Sequence, residues 1–212
     1  MKKLTRIDWK LVRIPVLLVC IMDVAVIALG MMLFPGNKKA WISMELLLPF
    51  GAVCPGIFYL GEIWQHSTWT ELLLSCNQKL NRMMLEKYLR WLLIFSLCQE
   101  IVAALICLPT DWENGCVFLT LLLAECFAFG GIGFVFAVLF RNPEWSITMI
   151  LCIMVADYGS QGALFGKLHF ALYWYEGLSF GVIGSRIATA VGIGLLSFVA
   201  AGWANKNGRT RT

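Results

Sequence analysis

Six long apolar stretches constrain this chain more than any other feature: residues 14–34, 41–61, 91–108, 117–140, 146–166 and 183–203. Crossing roughly 30 Å of hydrocarbon takes about 20 helical residues. Lipid offers no water to backbone N–H and C=O groups, so such stretches must be helices. The expected fold is an all-α polytopic membrane protein, a single transmembrane domain over residues 1–212 with no extramembrane unit large enough for soluble chemistry. Composition agrees. Of the 212 residues 59% are hydrophobic and 14% charged, against roughly 45–50% and about 25% in soluble domains. The fifth stretch is the least apolar, because Asp157-Tyr158-Gly159-Ser160-Gln161-Gly162 makes its second half polar and glycine-rich. Pro49 and Pro55 are expected to kink the second span, since proline removes a backbone donor. Pro35-Gly36-Asn37, Pro109 through Gly115, and Arg141-Asn142-Pro143 carry turn chemistry between spans.

Orientation follows from the basic residues. Lys2, Lys3, Arg6, Lys10, Arg13, Lys79, Arg82, Lys87, Arg90, Arg141, Lys206, Arg209 and Arg211 share one side. Only Lys38, Lys39, Lys167 and Arg186 fall on or near the other. The positive-inside rule places both termini in the cytoplasm of a plasma-membrane protein. Residues 2–13 are expected to form an interfacial helix, with Leu4, Ile7, Leu11 and Ile14 at helical steps and Lys3, Arg6, Lys10 and Arg13 as an adjacent basic stripe for an anionic leaflet. An ordinary charged flank is the alternative. The first apolar run is too long for a signal-peptide core and lacks a small-residue cleavage site.

The eight cysteines do not suggest a disulfide framework. Cys20, Cys54, Cys98, Cys126 and Cys152 sit in apolar runs, where cysteine acts as a small hydrophobe. Only Cys107 and Cys116 flank an outer turn closely enough to pair, and that pairing stays open. A nucleotide-binding P-loop is excluded: Gly162 through Lys167 lacks the first glycine, and Leu168 follows the lysine. His66 and His169 fall on opposite sides, and the cysteines lack paired ligand spacing, so no metal or other cofactor is expected on this chain. There is no Gly-x-Ser-x-Gly elbow. The basic clusters are explained by topology, not by nucleic acid. The chain is not expected to be an enzyme.

The largest cytoplasmic feature is the segment 62–90. Leu73, Cys76, Leu80, Met83 and Met84 recur at three- and four-residue steps, which predicts an amphipathic helix. On periodicity alone this is either a docking element for a partner or an interfacial linker. The residues themselves resemble the coupling loop of type-2 ABC exporter permeases: Glu62 ahead of the loop, Glu71-Leu72-Leu73-Leu74-Ser75 in place of the family's Glu-x-Leu-Leu run, then Lys87-Tyr88-Leu89 leading into the third span. Span count, the basic N-terminal helix and both termini inside match that family over the whole chain.

This resemblance implies a permease subunit, bacterial by expectation, that lines the membrane path as a homo- or heterodimer in the lipid bilayer. Separate ABC ATPase subunits beneath it would bind ATP and Mg. A coupling helix, roughly residues 68–80, would seat in an ATPase cleft through Glu62, Trp69, Glu71, Leu72, Leu73 and Lys79. The chain from Leu168 to Phe180, rich in boundary-favouring aromatics, would form an outer re-entrant segment, or else a plain interfacial loop. A peptide or amphipathic small molecule is the expected cargo. A permease of the cytochrome c maturation (haem) system and a non-transporting scaffold or immunity protein are the alternatives.

Asp23, Glu45, Glu100, Glu125 and Asp157 lie within the expected spans. Charged groups at membrane depth are costly and tend to face a cavity, a partner or water. Glu45 lies near its span's outer end, where an interfacial position explains it. Glu100, Glu125 and Asp157 sit nearer mid-span and are candidate pathway residues. Protonated carboxyls and helix–helix hydrogen bonds are the competing explanation. Gly130, Gly131 and Gly133 are expected to allow close helix packing.

Overall fold

The computed structural model describes residues 16–25, 38–65, 79–109, 112–160 and 180–207, and among them every regular element is helical. The elements are α1 (Val16–Ala25), α2 (Lys38–Gln65), α3 (Lys79–Cys107), α4 (Trp112–Phe140), α5 (Pro143–Gly159) and α6 (Phe180–Asn207). Four of them are long and apolar enough to cross a membrane: α2 over Met44–Trp64, α3 over Met84–Cys107, α4 over Asn114–Phe140 and α6 over Gly184–Trp203. Of the first expected span only α1 is described. The expected interfacial helix at 2–13 and the outer segment at 168–179 lie outside the described residues.

One boundary differs from expectation, for a local reason. α3 runs unbroken from Lys79, well before Trp91, because nothing between Lys79 and Trp91 interrupts a helix and Met84 and Tyr88 are drawn into the core. The second half of segment 62–90 is therefore the first part of the third span's own helix. α5 ends at Gly159 with Ser160 as its cap, and residues 161–166 of the expected fifth span lie outside the described residues. The 17 residues of α5 reach about 26 Å at 1.5 Å per residue, short of the hydrocarbon core. α2 continues through Pro49 and Pro55.

The break between α4 and α5 follows the turn chemistry expected at Arg141-Asn142-Pro143. Arg141 takes a left-handed conformation (φ 53°), and its N–H closes the end of α4 on the Ala137 carbonyl at 3.1 Å. The Asn142 side chain then caps α5, accepting from the N–H groups of Glu144 (2.9 Å) and Trp145 (3.4 Å). Pro143 fills the first helical turn, where no intrahelical donor is needed. The Arg141 guanidinium lies 4.9 Å over the Trp64 ring, tying the end of α2 to this corner.

α4 is central, packing against α2, α3, α5 and α6, most extensively α6. Helices α2 and α3 run antiparallel: Gly51 approaches Gln99, and Gly56 meets the Tyr88 ring. α2 and α5 do likewise, since Gly61 near the end of α2 abuts Pro143 at the start of α5. α4 and α6 meet at glycines. A Cβ added at Gly131 would lie 2.6 Å from the Gly194 carbonyl oxygen, and one added at Gly194 would lie 2.6 Å from the Phe127 ring. Missing side chains thus let two backbones touch, as glycine does between helices in lipid.

The outside of the bundle is greasy. Leu93, Leu97, Ile101 and Leu105 form one exposed stripe on α3, and Leu195, Leu196 and Val199 another on α6. Buried positions instead include Gln99, Glu125, Ser146 and Asp157. Apolar outside with polar groups inside reverses the soluble pattern and identifies a membrane protein. Thr120, Thr148 and Thr189 each bond the carbonyl four residues back, a self-satisfaction that lipid demands.

Candidate functional site

Three helices deliver one carboxyl each to a single place. Glu45 comes from the second turn of α2, Glu125 from the middle of α4 and Asp157 from the last turn of α5. Their exposures are 4%, 2% and 2%. Glu45 approaches Glu125 within side-chain hydrogen-bonding reach, and Asp157 lies close enough to act on Glu125 electrostatically. The three line a cavity of about 20 Å³, room for roughly one water molecule. Leu46, Phe129 and Met154 supply the apolar remainder of the lining, and Tyr158 adds a phenol. The Glu125 Oε1 atom is buried without a hydrogen-bond partner.

The local folding explains the convergence. Because α2 and α5 are antiparallel, the beginning of one lies beside the end of the other. α5 terminates at Gly159, so Asp157 sits in a last helical turn and not at mid-span. It thereby reaches the level of Glu45, two turns into α2. Glu45 is the second residue of the apolar stretch Met44–Trp64, close to the end of its span, and is at the same time buried in this cluster. The polar, glycine-rich run from Asp157 was the available signal: α5 is capped at Ser160, three residues after Asp157.

The other candidates fall elsewhere. Glu100 on α3 is half-buried with an orphaned Oε1. It stands near the Cys107 and Cys126 thiols and outside the cavity. Asp23 on α1 accepts a 3.2 Å bond from Gln99 on α3, a helix-to-helix contact. Cys107 and Cys116 are not joined by a disulfide. Glu62 is half-buried near the end of α2, one residue past the Gly61–Pro143 contact. Lys79 is the first residue of α3. Trp69, Glu71, Leu72 and Leu73 lie outside the described residues.

A second concavity, an open groove of about 650 Å³, runs between α3, α4 and α6. Leu93, Leu97, Leu123 and Val191 line it, and Leu93 and Leu97 also belong to the exposed stripe on α3. Among the described residues no group of His, Cys, Asp and Glu is placed to hold a metal ion. No family model matches this chain, and no similar protein was found among curated proteins or solved structures.

Proposed function

We propose that this chain is the membrane-spanning permease subunit of an ABC exporter, a six-span bundle with cytoplasmic termini that works as a dimer over separate ATPase subunits. One observation carries the transport reading: Glu45, Glu125 and Asp157 meet inside an otherwise apolar bundle. Keeping three carboxyls at membrane depth is costly, and such groups mark paths for ions and polar cargo. The resemblance of residues 62–90 to a coupling loop supports the choice of fuel. The unbroken α3 supports it mechanically, since a push delivered near Lys79 would travel along a rigid helix to Tyr88 and the core.

Purification in mild detergent tests the reading. An ATPase should remain attached, and the permease should stimulate its turnover. Leu73→Asp should uncouple ATP hydrolysis from transport while membrane insertion stays normal; unimpaired assembly and export by this variant would remove the coupling assignment.

A non-transporting scaffold is the second reading, favoured by the tight Gly131–Gly194 contact and the one-water cavity. An attached ATPase whose turnover ignores the permease would select it.

A further inference from the structure

Carboxylates only accept hydrogen bonds, so a bond between two carboxyl side chains requires a proton on one of them. Glu45 and Glu125 are both buried, approach within hydrogen-bonding reach across the α2–α4 interface and line one cavity, an approach that two carboxyls make when a proton lies between them. The second Glu125 oxygen is buried, unpartnered and on the lining of a cavity the size of one water. We propose that Glu45 and Glu125 form an intramembrane proton-binding site, in which the pair shares one exchangeable proton at the wall of this cavity.

The surroundings favour a proton over a metal cation. The cavity of about 20 Å³ has room for roughly one water, not for a metal ion with a hydration shell or a full ligand set. No described carboxyl trio is placed for metal binding. The titratable groups facing Glu125 are Glu45 from α2 and Asp157 with Tyr158 from α5. Cys126 adjoins it on α4, with Glu100 of α3 beside that thiol. Among the described residues no Lys, Arg or His lines the cavity, so a proton is the counter-charge that remains. Uptake adds one proton and one positive charge to the pair, release returns both to water, and no electrons move.

The site belongs to this chain alone and does not need an ATPase, so its test is separate from that of the permease reading. The purified protein in detergent is examined by infrared spectroscopy at neutral pH, in H₂O and in D₂O. The carbonyl stretch of a protonated carboxylic acid should be present and should shift in D₂O. That band should lose intensity in Glu125→Gln and be lost or displaced in Glu45→Gln. Spectra of both variants that overlay the wild type would overturn the proposal, and so would sodium ions that bleach the wild-type band.

Should neither variant fold, the wild type decides through a hydrophobic carbodiimide, which adds to protonated carboxyls in apolar surroundings. Glu45 or Glu125 should be labelled about tenfold or more above the solvent-exposed Glu86 and Glu144. Equal labelling would overturn the assignment.

Discussion

Tyr88 shows how a single side chain can organise a bundle in lipid. It is fully buried among α2, α4 and α6, and its hydroxyl donates to the Gly130 carbonyl at 2.8 Å. Its ring lies 5.0 Å from that of Phe134 and 6.3 Å from that of Phe198. Tyr88→Phe keeps the ring contacts and removes only the hydroxyl. The expected loss is about 1 kcal/mol, the usual net worth of one buried hydrogen bond and near the value found between membrane helices. Detergent-titration unfolding of the purified protein reads this directly. A loss near the roughly 3–5 kcal/mol of an aromatic-to-alanine truncation would mean that the hydroxyl does more than satisfy one carbonyl.

Among the elements, α4 and α6 pair most extensively, and their glycines separate into two kinds. Gly131 and Gly194 stand where backbone meets backbone or an aromatic ring, whereas Gly184, Gly192 and Gly202 have nothing within 4 Å of an added Cβ. Gly131→Ala should therefore destabilise the bundle by about 1–3 kcal/mol, as overpacking does, because a backbone oxygen cannot rotate away. Gly192→Ala should be neutral or stabilising by up to roughly 1 kcal/mol, since alanine is the better helix former. Thermal unfolding of the two variants side by side is the measurement. Equal behaviour would remove glycine contact as the reason these helices pack so closely.

For the whole molecule the issue is which end faces which compartment. The antiparallel neighbours place the Gly61–Pro143 contact at one end of the bundle and the Glu45–Asp157 approach toward the other. In the orientation proposed above from the distribution of Lys and Arg, the first end faces the cytoplasm. In intact cells a membrane-impermeant amine reagent should therefore modify Lys38, Lys39 and Lys167. Lys79 and Lys87 should react only after permeabilisation. Labelling of Lys87 from outside would invert the bundle and place segment 62–90 beyond the reach of any cytoplasmic ATPase.

Much of the architecture was legible from residue order because its causes are local. Long apolar runs must be helical in lipid, whatever packs beside them. Arg141-Asn142-Pro143 ends one helix and starts the next through its own caps, and the Gly130-to-Gly133 cluster announces close packing before any partner is known. Residue order did not reveal who meets whom. α4 is apolar nearly all round, so periodicity could not say which face receives α2, α3 or α6. Tyr88 looked like part of a cytoplasmic segment until α3 proved continuous. Glu45, close to its span's end, gave no sign in the sequence that Glu125 and Asp157 would be its neighbours. Depth in a membrane and proximity between helices are properties of the assembled bundle, decided by where each helix stops and how its neighbours run, and only the tertiary structure brings these carboxyls together.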